Sequence, residues 1–340
     1  MPGYIMAEVT LSALTKSFGA TKALADLSLT IPDGAFVVLL GPTGAGKTTT
    51  LRLIAGLDRP DRGDIRIGGH SVVNDTPAQR DVAMVFQQYS LYPHLTVRDN
   101  LAFPLRSPMI AMPEDQIAKR VAEVAEVLRI PYKLDNKATA LSGGEMQRVS
   151  IGRALVRNPR IYLMDEPLSS LDAKLRADLR IELKRIHAEL GATFLYVTHD
   201  QIEAMTMATH VGVLDAGRLV QYGSPREIYE NPISAYVASR LGQPRINLLP
   251  ADAFGPAPAG ATQIGLRPEH IHTGDGAPAT IRRVEHLGDQ TRLHLTVGPH
   301  EMVTLTDPHT EARSGDTLLI RPHNPLWFDA NGNRIQGPTP

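Results

Sequence analysis

The sequence predicts an α/β domain built on a largely parallel sheet, followed by a small all-β barrel or sandwich. Three observations carry that reading. Up to about residue 240, fully apolar strand runs alternate with segments of helical period, the pattern of βαβ units. One strand-to-helix junction in that region carries a complete glycine-rich phosphate loop. Beyond 240, short β-rich segments succeed one another, separated by Gly and Pro turns.

Ala35–Leu40 is apolar throughout rather than alternating, as expected of a strand buried on both faces. It runs into Gly41–Thr48, and the helix-forming Thr49–Ala55 follows. Glu114–Arg129 carries Ile117, Val121, Val124 and Leu128 at helical spacing, opened by Pro113 and stopped by Pro131. It belongs to a helical subdomain expected at about 90–158. Ile161–Met164 and Ala192–Thr198 are two further buried strands. Between them Leu175, Leu179, Leu183, Ile186 and Leu190 mark a helix ending at Gly191. In the tail, Gln263–Leu266, Thr280–Glu285, Thr291–Val297, Met302–Leu305 and Thr317–Arg321 are expected strands, with Leu293, Leu295 and Val297 alternating with polar residues. Gly255–Gly260 reads as a loop and Gly337–Pro340 as a frayed end. All eight lysines precede position 185, whereas seven of twelve histidines and twelve of 26 prolines follow 241. That shift places the expected domains at 1–240 and 241–340, and no internal repeat is visible.

Composition narrows the function. The length of 340 residues suits about two domains. With 35 Lys+Arg against 36 Asp+Glu, the chain lacks the basic excess of a protein that coats nucleic acid or anionic membrane. The absence of cysteine excludes disulfides, thiolate metal sites and cysteine nucleophiles together, and fits a cytosolic chain. No apolar stretch approaches the ~20 residues of a spanning helix, and Met1–Thr10, with acidic Glu8, lacks a leader pattern.

Gly41-Pro-Thr-Gly-Ala-Gly-Lys-Thr48 matches the P-loop pattern in full, after a buried strand and before a helix. Glycines let successive backbone N–H groups turn toward phosphate oxygens at the positive end of the helix. Lys47 is expected on the β- and γ-phosphates of ATP and the Thr48 hydroxyl on Mg²⁺. Gly41, Pro42, Thr43, Gly44, Ala45, Gly46 and Thr49 complete the nucleotide cradle. The strand Ile161–Met164 delivers two carboxylates, Asp165 for Mg²⁺ and Glu166 as general base for the attacking water.

Leu141-Ser-Gly-Gly-Glu-Met-Gln-Arg148 precedes that strand. Ser142 and Glu145 form a capping-box pattern, which is a purely structural reading; the same helix end, with Gly143 and Gly144, also suits a phosphate. The string, followed by the Asp165–Glu166 strand, resembles the signature of ABC-type ATPases. The whole first domain resembles the nucleotide-binding subunits of ABC importers. The resemblance implies that Phe18 stacks on adenine, that Gln87 touches Mg²⁺ and the water, and that Ser170-Leu-Asp172 lies at a dimer interface. His199, closing Phe194–Thr198, looks like the switch histidine on the γ-phosphate. Ser142, Gly143, Gly144 and Glu145 are implied on the ATP of the opposite subunit. Glu145 stands where many members have glutamine. A head-to-tail homodimer with two composite sites is therefore implied.

Tyr89-Ser-Leu-Tyr-Pro-His-Leu-Thr-Val97 resembles the matching stretch of sugar-importer ATPases of the maltose and glycerol-phosphate type. There it borders a cleft for a permease helix; Leu91, Tyr92 and Leu95 also suit packing of the helical subdomain. Ile264–His270, Val284–Thr291 and Asn247–Pro250 resemble the oligonucleotide-fold regulatory domain of those importers. The implied partners are two transmembrane permease subunits, a separate extracytoplasmic solute-binding protein and a cytosolic regulator at the second domain. The implied place is peripheral, on the cytoplasmic face of the bacterial inner membrane. Nucleic acid is not an expected partner: from 242 onward, eight Arg and no Lys face ten Asp+Glu, with Phe254, Trp327 and Phe328 as the aromatics. The histidines there, His270 and His272 among them, lack carboxylate partners at metal spacing. An ATPase of a polyamine or metal-ion importer is the alternative within transport. A soluble ABC ATPase acting on nucleic acid or ribosome is a more distant one, since Gly41–Leu141 holds no heptad run and the chain one P-loop. A regulatory binding protein with a vestigial ATPase is opposed by intact Lys47, Asp165, Glu166 and His199.

Overall fold

The computed structural model describes residues 7–108, 110 and 112–336. The expected frayed end, Gly337–Pro340, and the first six residues of the segment expected to carry no leader lie outside them. The chain divides into two compact units, Met1–Pro225 and Arg226–Pro340. Among the described residues no helix is long and apolar enough to cross a membrane.

In the first unit the elements run β1 (Val9–Phe18), β2 (Thr21–Ile31), β3 (Phe36–Leu40), α1 (Lys47–Ala55), β4 (Arg62–Ile67), β5 (His70–Ser71), β6 (Val82–Val85), α2 (Val97–Ala102), α3 (Glu114–Val127) and α4 (Gly143–Leu155). Then follow β7 (Ile161–Asp165), α5 (Ala173–Leu190), β8 (Phe194–Thr198), α6 (Gln201–Met207), β9 (His210–Asp215) and β10 (Arg218–Gly223). The main sheet has the order β10-β9-β3-β8-β7-β6 and is parallel except for β10. Every residue of β3, β7 and β8 is buried, so the apolar runs are strands covered on both faces. Leu51, Leu53 and Ile54 of α1 join Val37, Leu39, Leu163 and Leu195 in one core cluster. Each such side chain contributes roughly 1.5–3 kcal/mol of burial. Across the sheet, Phe194 stacks between Phe36 and Tyr162, at 5.3 and 4.8 Å between ring centroids, and His187 of α5 meets Phe36 edge-on at 5.3 Å.

A second, antiparallel sheet, β2-β1-β4-β5, also contributes to that cluster and adds to the expected parallel architecture. Its alternation is hidden in the sequence because Ala13 (φ 51°) and Asp26 (φ 65°) interrupt the two-residue period. Between β6 and β7 lie α2, α3 and α4. α3 ends at Val127, with Arg129 in the left-handed region (φ 55°).

Strand register then assembles the site. In β3 and β8, Leu40 pairs with Thr198; in β7 and β8, Asp165 pairs with Val197; in β6 and β7, Val85 pairs with Met164. The residues just past the ends of β3, β8 and β7 are Gly41, His199 and Glu166, and Gln87 lies two residues past the end of β6. In open parallel sheets this edge is where ligands bind.

The second unit holds α7 (Pro225–Glu230, whose first residue belongs to the first unit), α8 (Ala235–Ala238), β11 (Asn247–Pro250), β12 (Gln263–Leu266), β13 (Ile271–His286), β14 (Thr291–Val297), β15 (His300–Thr306), β16 (Thr317–Pro322), β17 (Leu326–Phe328) and β18 (Arg334–Ile335). They form two antiparallel sheets, β11-β12-β17-β18 and β15-β14-β13-β16. β14 alternates buried and half-buried along its length, with Leu293, Leu295 and Val297 inward. The division at 225/226 precedes the composition shift near 240. Ala235 and Ala238 pack with Ile246, Leu326 and Phe328, so the two short helices fold with the β-rich unit although their composition resembles what precedes them.

Candidate functional site

The P-loop closes on itself in a way that only glycine permits at two points. At Gly46 (φ 99°) a Cβ would lie 2.6 Å from Leu24 Cδ2 and 2.7 Å from the Ala23 carbonyl oxygen. At Gly41 it would lie 2.7 Å from the Leu214 carbonyl oxygen. Pro42, Thr43, Gly44 and Ala45 complete the turn, and Thr49 lies in the first turn of α1. The Lys47 amine, only 6% exposed, donates to the Gly41 carbonyl (2.8 Å) and the Pro42 carbonyl (3.0 Å) and lies 3.9 Å from Glu166 Oε1. Burial pushes its pKa down, opposed by Glu166 and Asp165.

Asp165 ends β7 buried, and the Thr48 hydroxyl donates to its Oδ1 at 3.0 Å. Burial raises the Asp165 pKa against that hydrogen bond, with Glu166 adding to the rise. A hydroxyl and a carboxylate side by side are hard oxygen donors of the type Mg²⁺ takes, so the residues present fit that ion. Glu166 adopts φ 44°, an uncommon backbone region costing about 1–3 kcal/mol. Its N–H donates to the Val197 carbonyl at 3.1 Å, and its carbonyl accepts from Ser169 Oγ at 2.9 Å. Its Oε2 lies 3.1 Å from His199 Nδ1. Asp165, Glu166, His199, Lys47 and Thr48 are thus brought together.

Gln87 is tied to the same corner: its Nε2 donates to Ser169 Oγ at 3.3 Å. Tyr89 and Ser170 share a hydrogen bond at 3.2 Å, and Asp172 caps α5 by accepting from the Leu175 N–H at 3.0 Å. Phe18, 49% exposed, sits at the β1–β2 hairpin with the Lys16 amine 5.3 Å from its ring centroid. Ala23 and Leu24 of that hairpin abut the P-loop at Gly46.

Ser142 and Glu145 close a reciprocal capping box on α4. Glu145 also pairs with Lys133 at 3.1 Å. Burial raises its pKa, yet the Ser142 N–H and the Lys133 amine outweigh this and leave it below the ordinary carboxylate value. A Cβ on Gly144 would lie 2.3 Å from Leu175 Cδ2, so close packing of α5 is one reason for glycine there. The hydrogen bonds of Ser142 and Glu145 stay local; among the described residues none joins them to the P-loop.

Sequence reasoning missed Ser169, the bridge between Gln87 and the Glu166 carbonyl. It also missed Arg176, which donates to the Leu168, Ser169 and Leu171 carbonyls and so pins the loop. Neither stands at a spacing that any motif marks.

Residues 24–169 match the family model described as ABC transporter, and residues 264–329 the one described as TOBE domain. The sn-glycerol-3-phosphate import ATP-binding protein of Ruegeria pomeroyi is 43% identical, over 93% of this chain and 95% of its own length. The lactose transport ATP-binding protein of Rhizobium radiobacter is 41% identical, over 97% of this chain and 100% of its own. Among solved structures, a bacterial ABC transporter cassette in dimeric form aligns with a TM-score of 0.57 at 32% identity. It covers 64% of this chain and 99% of that one.

Proposed function

This chain belongs to the ABC transporter ATP-binding proteins and is an ATPase, and from that premise we propose that it is the energising subunit of a carbohydrate or glycerol-phosphate importer. The observation that carries the catalytic half is the convergence of Lys47, Thr48, Asp165, Glu166 and His199 at the aligned strand ends. The solute class rests on the likeness, over nearly the whole chain, to relatives named for sn-glycerol-3-phosphate and lactose import.

In this reading the P-loop backbone N–H groups and Lys47 hold the phosphates, while Phe18 offers its exposed ring to adenine. Thr48, Asp165 and Gln87 would hold Mg²⁺, which when bound neutralises charge on the β- and γ-phosphate oxygens. Glu166 accepts the proton of the attacking water, oriented by the His199 imidazole 3.1 Å away. Catalysis is then mainly positioning and electrostatics. Ser142–Glu145 serves the nucleotide of a second copy, in a head-to-tail dimer with Ser170 and Asp172 at the interface.

Two permease subunits and an extracytoplasmic solute-binding protein complete the assembly, which places this chain peripherally at the cytoplasmic face of a bacterial inner membrane. Purification of a tagged chain from detergent-solubilised membranes tests it. Integral membrane proteins should copurify at one pair per ATPase dimer. An ATPase that remains without them, and is stimulated by DNA or ribosomes, would contradict the importer reading and favour a soluble nucleic-acid ATPase.

A further inference from the structure

The Ile264–His270 motif of the second unit has no part in ATP chemistry, yet it builds one wall of a groove of about 1160 Å³ lying entirely within that unit. That volume is somewhat above the ~300–1,000 Å³ of ordinary small-molecule sites and leaves room for a ligand with water beside it. Arg267, 3% exposed, stands in the wall. Its guanidinium donates to the Ala238, Leu241 and Tyr229 carbonyls and stacks 3.9 Å from the Tyr229 ring centroid. Among the described residues no carboxylate lies within ion-pair distance of it. Arg334 also lines the groove, has no carboxylate within ion-pair distance among the described residues, and donates to the Glu230 carbonyl at 3.2 Å. The acidic side chain of the lining, Glu230, is engaged by Arg226 at 2.8 Å, and nearby Glu269 accepts from the Tyr229 hydroxyl. Two further wall atoms, Arg267 Nε and His270 Nδ1, are buried and make no hydrogen bond within the described residues.

The groove therefore carries positive charge that its own acids do not neutralise, beside the apolar surfaces of Trp327, Ile233 and Ile335. Low-dielectric walls focus such a field. We propose that this groove binds a small organic anion, with its carboxylate or phosphate on Arg334 in the field of Arg267 and its carbon skeleton against Trp327. Burial lowers the pKa of both arginines, opposed at Arg267 by Tyr229 and Glu269. The proposal goes beyond the ATPase assignment and stands independently of it.

Trp327 is the single tryptophan of the chain, so its fluorescence reports on this groove and not on the P-loop. The full chain, with its nucleotide site saturated by ADP, is titrated with glucose 6-phosphate, citrate and phenyl phosphate, with glucose as the neutral control. At least one anion should change Trp327 emission saturably, more weakly at higher salt, while glucose stays silent. Arg334→Ala should weaken that anion about tenfold or more, the scale of a lost charge-assisted contact. Gln336→Glu, which sets a carboxylate at the exposed rim, should weaken it severalfold with no demand on the core. Silence from all three anions overturns the proposal. So does an equal response to glucose, or a response that both variants leave unchanged.

Discussion

Lys47 is a buried cation whose amine is shared between two carbonyls of its own loop and a carboxylate 3.9 Å away. Those acceptors hold it at the mouth of the cradle, where phosphate oxygens would replace them. Lys47→Ala should weaken ATP binding at least about tenfold in calorimetry, the scale of a lost charge-assisted contact. Unchanged affinity would refute the cradle. The P-loop and the acidic pair after β7 were legible because the motif specifies both residue type and backbone context. Ser169 was not: its role depends on Gln87 and Glu166 meeting across two strands, a contact that register creates and spacing along the chain does not encode.

α4 shows what an element owes to its first turn. Glu145 accepts from the Ser142 N–H at 2.9 Å and pairs with Lys133 at 3.1 Å, which together hold its pKa below the ordinary 4.5 although burial works upward. A carboxylate whose folded pKa is depressed stabilises the protein above its unfolded value, and that stability is lost as pH falls through the folded value. Glu145→Gln keeps a capping oxygen but loses the charge. It should cost about 0.5–1 kcal/mol at pH 7, and its gap to the parent should narrow as pH falls below 4.5, as read by urea unfolding at neutral and at acid pH. An equal gap at both would show that the ion pair contributes nothing. At this scale the apolar strands and long helices were legible from periodicity. β13 was legible only in its second half, because Gly274 and Gly276 take positive φ and the pairing with β16 breaks between Thr273 and Ala277.

At the scale of the whole molecule, the two-part architecture follows from one shift in pattern, from alternating strands and helices to short strands between Gly and Pro turns. The boundary itself is less visible, since residues 226–240 fold with the β-rich unit through Ala235, Ala238 and the carbonyls held by Arg267. In the first unit Lys47 and Glu166 meet beside the P-loop, while the capping-box end of α4 is tied to Lys133 and, among the described residues, makes no hydrogen bond to that loop. The most direct test is the Glu166→Gln variant, followed for ATP turnover and by light scattering for dimer mass. The account predicts that it binds ATP, hydrolyses it at least about a hundredfold more slowly, the usual worth of a general base, and accumulates as a dimer that ADP does not support. Near-normal turnover, or a monomer in saturating ATP, would contradict it.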